Sequence, residues 1–245
     1  MSDLLELTAR AEASHFWFHG FRKIVVPALA DIAAGRPGLR LVDCGAGTGH
    51  NLALLSPHGD VVAFDLAPTA LTKGRLDGRP LIRADVTRIP FRSETFDVAT
   101  SFDVLQCVPD DTGAVREMAR VLKPGGTVLL TLAAFDLLRG DHAEVWHEAH
   151  RYTPASARAL VAQAGLEPVR VSFMFASLFP LMLGARLLQR LTRPYRRVKE
   201  DADIVVPHAA VNAVLTALVS GEAALARRLP MPVGSSLLVV AKKSG

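Results

Sequence analysis

Cysteine is scarce in this chain of 245 residues, which contains two. Cys44 and Cys107 lie far apart in the sequence, so they predict neither a disulfide framework nor a cysteine-based zinc site. Met1 to Arg10 alternates acids with leucines and lacks the basic start and apolar run of a secretory signal. We therefore expect the protein in the reducing environment of the cytoplasm.

A membrane-spanning run is also missing from the most apolar stretch, Ser172 to Leu188. Arg170 and Arg186 bound an uncharged interval shorter than the ~18 to 20 residues that a span needs. Basic residues follow with no acid before Glu200: Arg186, Arg190, Arg193, Arg196, Arg197 and Lys199. An apolar segment beside a basic one suggests peripheral contact with anionic lipid, or with a lipid-linked substrate, through residues 172–199. The alternative is a buried strand leading into a cap helix with solvated arginines.

Aromatic residues make up 6% of the chain, which bears on the meaning of its charge of +4 and pI of 9.4. A basic balance would suit nucleic acid, but the basic residues lack interleaved stacking aromatics apart from Tyr195. We therefore expect no nucleic-acid partner. The chain has no internal repeat, and its 50% hydrophobic content is enough for one enzyme domain carrying an insertion.

The feature that carries most information is Leu-Val-Asp-Cys-Gly-Ala-Gly-Thr-Gly at residues 41–49. Leu39 to Val42 predicts a short buried parallel strand that ends at Asp43. Three alternate glycines then allow a sharp turn and a close approach of the backbone to a ligand. Asn51 to Leu55 would open the following helix. This arrangement is typical of a nucleotide-cofactor site.

Two residues argue against a nicotinamide dinucleotide at this loop. The dinucleotide pattern G-x-G-x-x-G requires a small residue at position 50, where this chain has His50. Asp43 would repel a pyrophosphate, whereas it suits a ligand that carries an ammonium group, as S-adenosylmethionine does. A nicotinamide-dependent oxidoreductase remains the weaker alternative, because the sequence also lacks a plausible Tyr-x-x-x-Lys pair.

Acidic residues end the next two predicted strands as well. Val61 to Phe64 ends at Asp65, about 20 residues after the glycine loop, where an acid accepts both ribose hydroxyls of an adenosine. Leu81 to Ala84 leads into Asp85, where an adenine amino group would donate. Each acid alone would also suit a helix N-cap. Three acids at successive strand ends favour a binding site.

The remaining elements complete an alternating α/β pattern. Predicted strands cover Phe96 to Ser101, Thr127 to Leu132, Glu167 to Phe175 and Ser236 to Ala241. Predicted helices cover Pro154 to Ala164 and, as an amphipathic helix, Asn212 to Leu229, with a polar connection over Thr192 to Val206.

The ordered stretches LVDCGAGTG, VVAFDLAP, LIRADVTRIPF, FDVATSFDVLQCVPD and VLKPGGTVLLT span residues 39 to 132. In this order and spacing they resemble a class I S-adenosylmethionine-dependent methyltransferase of the type-11 domain group. The resemblance implies a Rossmann-like three-layer α/β sandwich with a seven-stranded, mostly parallel sheet whose last strand is antiparallel. It also implies one domain over residues 1–245: a helical lid (1–38), a cofactor half (39–135) and a substrate half (136–245) with a helical insertion at about 176–230.

The resemblance further implies a cofactor site for S-adenosylmethionine, residue by residue. The residues around the methionine part, the ribose and the adenine would be Asp43, Gly45, Ala46, Gly47, Gly49, Asp65, Leu66, Asp85, Val86 and Phe102. One departure is Gln106-Cys107, where many relatives have Glu-His. A general base at that position is therefore not expected.

The N-terminal run His15-Phe16-Trp17-Phe18, followed by Arg22, resembles a lid helix in one bacterial branch of the group. Trp17 would close over the cofactor, where an aromatic face attracts a sulfonium and a lid excludes water. The alternative is that these rings anchor the first helix to the sheet.

Methyl transfer requires alignment and exclusion of water more than special side chains. If the acceptor is a hydroxyl, a histidine is the side chain best suited to take its proton near neutral pH. His147 and His150 are the candidates, because they follow the fifth strand at the carboxyl edge of the sheet; Tyr152 is a weaker one. No H-E-x-x-H pattern occurs, so we expect no metal site from the histidines of residues 141–150.

These observations predict a cytoplasmic S-adenosylmethionine-dependent methyltransferase, peripheral at the membrane, that methylates a small or lipid-linked metabolite at oxygen. A second interpretation is a non-catalytic S-adenosylmethionine-binding subunit, which the departure at Gln106-Cys107 permits.

Overall fold

A computed structural model describes residues 2–67, 81–192 and 205–245 of the chain. Its centre is a seven-stranded sheet with the order β3-β2-β1-β4-β5-β7-β6. The strands are β1 (Leu39–Cys44), β2 (Gly59–Asp65), β3 (Leu81–Arg83), β4 (Phe96–Phe102), β5 (Leu122–Ala133), β6 (Leu166–Met174) and β7 (Ser236–Lys243).

Helices surround this sheet. In chain order they are α1 (Ser2–Glu12), α2 (Phe16–Ala33), α3 (Leu52–Leu55), α4 (Asp111–Val121), α5 (Asp141–Val145), α6 (Pro154–Gln163), α7 (Phe179–Thr192) and α8 (Ala209–Ala226). Short 3-10 turns occur at Ser56–His58, Leu105–Cys107 and Asp136–Leu138.

The predicted fold class is confirmed. Strands β1 to β5 pair in parallel, and β7 lies antiparallel between β5 and β6. The strand order reverses direction between β1 and β4, and ligands bind at such a switch point, outside the carboxyl ends of the strands. The fold therefore fixes where a site should be sought.

Two predicted boundaries need correction. Strand β5 begins at Leu122, because Leu122 pairs with Phe96 before the register shifts and Thr127 pairs with Val98. The Lys-Pro-Gly-Gly segment, which precedes the strand that we predicted from Thr127, bulges out inside β5. The helix after the glycine loop is a single turn, α3, and a 3-10 turn containing Pro57 follows it.

The apolar core lies on both faces of the sheet. On one face, α4 and α6 cover a cluster that includes Phe96, Met118 and Leu160. On the other face, α2 and α8 cover a cluster that includes Leu29 and Val219. Helices on both faces of a mostly parallel sheet explain why its central strands are apolar on both sides.

Helix α8 differs from the amphipathic helix that we predicted. Glu222 is its only charged residue, yet the helix exposes an apolar row: Val211, Val214, Leu218 and Leu225. Within the described residues it is the one helix long and apolar enough to cross a membrane by length and composition, and 17% of it is buried. Apolar residues thus occupy both its packed and its exposed sides.

Two polar residues fix α8 to the rest of the fold. Asn212 accepts a hydrogen bond from the Phe16 backbone N–H at 3.0 Å and donates to the Ser14 carbonyl at 2.8 Å. Glu222, which is buried, accepts from the backbone N–H groups of Ala176 and Ser177, both at 2.8 Å. Helix α8 therefore joins the α1–α2 junction to the segment between β6 and α7.

We expect Glu222→Ala to lower the free energy of unfolding by about 2 kcal/mol, because it leaves two partly buried backbone donors without their acceptor. Chemical denaturation followed by circular dichroism measures this change. Ser220→Ala on the same helix is the matched control, since the Ser220 hydroxyl bonds the Thr216 carbonyl of its own helix. Equal stability of the two variants would contradict the anchoring role of Glu222.

Candidate functional site

The glycine loop is held against the end of β2. The N–H groups of Gly45 and Ala46 both donate to the Phe64 carbonyl, at 2.9 and 3.0 Å. Gly45 has φ +86°, and a Cβ there would lie 2.5 Å from a Val104 methyl group, so only glycine fits. Ala46 is buried in the core, which makes its side chain a packing group beside the predicted site.

Asp43 is a buried carboxylate at the end of β1. It accepts a hydrogen bond from the Thr100 hydroxyl at 2.7 Å through Oδ1, while its buried Oδ2 has no hydrogen-bond partner among the described residues. Burial raises the pKa of Asp43 to about 7; the Thr100 bond opposes this rise, and the charge of Asp65 adds to it. A buried oxygen without a partner is the atom that a cationic ligand group would satisfy.

Asp65, at the end of β2, joins the loop to the start of the next segment. Its two oxygens accept from the Gly47 N–H and the Ala67 N–H, both at 2.8 Å. Leu66, between Asp65 and Ala67 in the sequence, is 59% exposed, so an accessible apolar side chain lies beside the Asp65 carboxylate. Gly47 and Gly49 both have positive φ, as the turn requires. Carboxylate oxygens have further lone pairs, which leaves Asp65 able to accept from ribose hydroxyls.

The other predicted cofactor residues lie at the same edge of the sheet. Asp85 is exposed after β3, and one of its oxygens accepts from the Thr87 N–H and hydroxyl, both at 2.8 Å. Val86 is buried in the core beside it. Phe102, at the end of β4, packs edge-to-face against Phe21 with ring centroids 5.3 Å apart. Their roles toward a cofactor stay predictions.

The N-terminal helices meet the glycine loop through polar side chains. The Thr48 hydroxyl donates to the Glu12 carboxylate at 2.6 and 2.8 Å, and Arg22 donates to the Glu12 carbonyl at 2.8 Å. Arg22 also lies 3.2 Å from His50 Nε2. An arginine only donates, so Nε2 is the acceptor and the proton of His50 sits on Nδ1, facing Glu12 at 3.9 Å. Burial, aided by Arg22, lowers the pKa of His50, which agrees with this neutral form.

Trp17 packs against an aromatic ring at the end of β6. Its ring stacks on Phe175 with centroids 3.9 Å apart, and Phe175 directly follows β6. The contact supports the packing alternative, and a role of Trp17 toward a cofactor stays a prediction. The N-terminal side chains that contact the glycine loop and His50 are Glu12 and Arg22. These contacts could not be predicted, because Glu12 reaches Thr48 only through the tertiary fold.

The three predicted bases have different surroundings. His147 is exposed and has φ +52°, and His150 lies 3.1 Å from the Pro109 carbonyl through Nε2. Tyr152 donates to Asp111 at 2.9 Å, and burial together with Asp111 raises the pKa of its phenol. The structure thus gives His150 and Tyr152 partners next to α4 and leaves His147 in solvent.

A group that we had not predicted lies at the end of β4. Asp103 has the rare φ of +55°, and burial raises its pKa to about 6, with the Thr131 hydroxyl bond opposing and Glu148 contributing to the rise. Near it Arg151 pairs with Glu148 at 2.8 Å, and both side chains are buried. Strained backbone at a strand end and a perturbed carboxyl are features of functional sites.

Gln106 and Cys107, the departure from the family pattern, do not supply a nucleophile. Burial raises the pKa of Cys107 to about 12, so the thiol stays protonated. The Gln106 carbonyl accepts from the N–H groups of Ala149 and His150, which ties residues 149–150 to the end of β4. Within the described ranges, no group of three or more His, Cys, Asp or Glu side chains is arranged to hold a metal.

Comparisons with known proteins agree with this geometry. Residues 42–130 match the family described as "Methyltransferase domain". A demethylmenaquinone methyltransferase of Corynebacterium kroppenstedtii is 42% identical over 101 residues, which cover 41% of this chain and 43% of that protein. A ubiquinone/menaquinone biosynthesis C-methyltransferase of Shewanella frigidimarina is 35% identical over 112 residues, with 41% and 45% covered. The chain therefore matches less than half the length of these relatives.

Among solved structures, phosphoethanolamine N-methyltransferase 2 of Haemonchus contortus with bound S-adenosyl-L-methionine has the same fold. The TM-score is 0.63 at 15% identity, and the match covers 100% of this chain and 58% of that one.

The sheet order and the strand-end carboxylates define a class I methyltransferase fold. The matched segment begins at Val42 within β1, includes the whole glycine loop and ends at Leu130 within β5. Residues 42–130 are therefore similar to methyltransferase domains, which agrees with the resemblance found in the sequence.

The residues of the site fit this cofactor. The open Oδ2 of Asp43 suits the ammonium of the methionine part, Asp65 suits the ribose, and exposed Leu66 suits one face of the adenine. The bound cofactor would supply an electrophilic methyl group on a sulfonium. The chain itself supplies a buried carboxylate, a tight loop and a cover of N-terminal helices.

We expect binding of S-adenosylhomocysteine to strengthen as the pH rises from about 6 to about 7.5. Ionised Asp43 must face the ammonium, and a carboxyl with a pKa of about 7 is mostly protonated at pH 6, so binding releases a proton. The affinity should rise by about tenfold over this range, as measured by calorimetry.

Two controls isolate Asp43. 5′-Methylthioadenosine has the nucleoside but no amino-acid part, so its affinity should not follow this pH dependence. Asp43→Asn, which can still accept from Thr100, should remove the dependence for S-adenosylhomocysteine. An unchanged slope in Asp43→Asn would show that another group titrates.

Proposed function

We propose that the protein transfers a methyl group from S-adenosylmethionine to an apolar, lipid-linked phenol or quinol ring, at carbon. The observation that carries the transfer itself is the buried, unpartnered Oδ2 of Asp43 beside Asp65 at the switch point of the sheet. Both relatives described above are named for quinone-type substrates, and one is named a C-methyltransferase. This supports carbon as the acceptor atom in place of the oxygen that we predicted.

The substrate half of the crevice supports an apolar, planar acceptor. Phe135 follows β5 and stacks on Phe173 with centroids 5.4 Å apart, and Phe179 meets it edge-on at 6.0 Å. The Trp17–Phe175 pair also lies at the end of β6, and it belongs to the core cluster on the other face of the sheet. Aromatic side chains that line a pocket favour apolar and aromatic ligands.

Asp103 is the group best placed to hold the proton that a phenolic acceptor loses. It lies at the carboxyl end of β4, between the cofactor residues of β1 and the aromatic side chains that follow β5 and β6. A pKa of about 6 suits a general base near neutral pH, because the group is ionised and still basic. Asp103 thus takes the role that we had assigned to His147 and His150.

We expect carbon-13 to appear on ring carbon when the protein is incubated with [methyl-13C]S-adenosylmethionine and a chemically reduced membrane-lipid extract. Methyl groups on carbon and on oxygen resonate in separate regions of the 13C spectrum, so one measurement distinguishes them. Label on oxygen would contradict the carbon proposal. Absence of label from the extract, with the cofactor still bound, would favour the non-catalytic subunit.

In the same assay, Asp103→Asn should lower turnover by about a hundredfold or more, since it removes the proton acceptor. His147→Ala is the matched control and should leave turnover unchanged, because that side chain is exposed. Binding of S-adenosylhomocysteine should stay the same in both variants. Loss of turnover in His147→Ala alone would restore the histidine base.

Access to a lipid-linked acceptor requires contact with a membrane surface, and α7 offers one. It exposes an apolar row, Leu181, Leu187, Leu188 and Leu191, and ends beside exposed Arg190. Apolar side chains next to cationic ones bind the surface of anionic bilayers. Residues 193–199 of the predicted contact, with their further basic side chains, lie outside the described residues. We propose a cytoplasmic protein that is peripheral at the membrane through α7.

We expect co-sedimentation with vesicles that contain anionic phospholipid, and weaker binding at high salt because the arginine contribution is screened. A Leu188→Asp, Leu191→Asp double variant should lose this binding. Val169→Asp, at an exposed position of β6, is the control and should bind as the unmodified protein does. Failure of the unmodified protein to bind at low salt would contradict the membrane contact.

A further inference from the structure

Residues 134–152 form a segment that leaves the sheet after β5 and returns to it. Ala134 and Tyr152 form a bridge at its base. Between these points, the N–H groups of Ala149 and His150 bond the Gln106 carbonyl, just beyond the end of β4. Trp146, three residues earlier than Ala149, packs against Ala67, just beyond the end of β2. The segment therefore contacts the ends of both β4 and β2.

The strand order shows what lies beneath this segment. Strand β1 is between β2 and β4, so the two contacts stand on opposite sides of it. Neighbouring strands are about 4.8 Å apart, which makes the span from β4 to β2 about 10 Å. The end of β1 carries Asp43 and the glycine loop. Trp146 thus reaches across the crevice at the switch point from the substrate half of the sheet to the cofactor half.

The base of the segment is held firmly. The buried Glu148–Arg151 ion pair lies within it, Arg151 donates to the Ala134 carbonyl at 3.2 Å, and Arg139 donates to the Glu148 carbonyl at 2.6 Å. These bonds fix the backbone two residues from Trp146. A ring carried on such a base has a defined position over the crevice.

The indole nitrogen of Trp146 is buried and has no hydrogen-bond partner among the described residues. An indole N–H only donates, and a buried donor without an acceptor costs free energy. Ala67, which the ring contacts, follows the ribose candidate Asp65 by two residues and donates its N–H to that carboxylate. The unsatisfied donor is therefore next to the place where the nucleoside would lie.

We propose that Trp146 covers the nucleoside of the cofactor and that its indole N–H donates to a ribose or adenine acceptor. This inference rests on the proposed cofactor binding and adds a residue from the substrate half to that site. The segment that holds Trp146 also includes Glu148, whose charge contributes to the raised pKa of Asp103. Trp146 would therefore link the cofactor half of the site to the substrate half. A filled nucleoside site would thereby order the segment next to the proposed base.

The test uses 5′-methylthioadenosine and S-adenosylhomocysteine as probes and Trp146→Phe as the variant, which keeps a ring and removes the N–H. We expect the affinity for both probes to fall by about fivefold to tenfold, since both contain the nucleoside. Leu137→Ala, at an exposed position of the same segment, is the control and should bind both probes as the unmodified protein does. Circular dichroism and the melting temperature establish that each variant is folded.

Tryptophan fluorescence gives a second readout that needs no change at position 146. Trp17 and Trp146 are the two tryptophans of the chain, so Trp17→Phe leaves Trp146 as the only reporter. Its emission should change on addition of 5′-methylthioadenosine and saturate at the affinity found by calorimetry. In Trp146→Phe, the emission of Trp17 should stay constant.

The binding and emission results distinguish a missing cofactor site from a missing role of Trp146. Unmodified protein that binds neither probe would overturn both. Normal binding of both probes by Trp146→Phe, together with constant emission from Trp146 in the Trp17→Phe protein, would overturn the role of Trp146 alone and leave cofactor binding intact.

Discussion

The site depends on one carboxylate that the fold has removed from water. Asp43 ends a central strand, and a charge at that depth is tolerated only when it is neutralised by a proton or by a cation. Thr100 satisfies one of its oxygens, and the second is buried without a hydrogen-bond partner among the described residues. The pKa of the Asp43 carboxyl is therefore about 7 without a ligand, and a cationic ligand group would favour its ionised form.

Two segments cover the surroundings of Asp43, one from the N-terminal helices and one from the middle of the chain. On the loop side, Glu12 and Arg22 bring α1 and α2 onto Thr48 and His50. On the switch-point side, the segment after β5 carries Trp146 to Ala67. The methyl group must be protected from water during its transfer, so a crevice covered on two sides suits this chemistry. Helix α8 supports the first cover, because Asn212 fixes the α1–α2 junction.

The central sheet could be predicted because its strands carry their own local signals. Strands β1 to β4 are apolar runs that end at or near an acid, and the seven-stranded order followed from the family resemblance. Strand β5 was misjudged at its start, since pairing with Phe96 outweighed the turn propensity of Pro124 and Gly125. Helix α8 was taken as amphipathic, although its polar residues serve as anchors at Asn212 and Glu222 and do not form a solvated face.

The polar contacts of the site could not be predicted in the same way. Glu12, Asp103 and Trp146 become significant through partners that are distant in sequence, and no spacing rule joins Trp146 to Ala67. The histidines were chosen by residue type near a strand end, whereas the buried carboxyl of Asp103 acquires its basicity from desolvation, which a sequence does not display. Substrate identity is encoded in such contacts, and the match to each of the two relatives covers 41% of the chain.

A sulfonium nucleoside is expected to lie across the carboxyl ends of β1 and β2. A crystal structure of the complex with S-adenosylhomocysteine would show its position. We expect ribose hydroxyls within hydrogen-bond distance of Asp65 and the amino group directed at Oδ2 of Asp43. A nucleoside bound at another edge of the sheet, with both carboxylates uncontacted, would contradict this expectation.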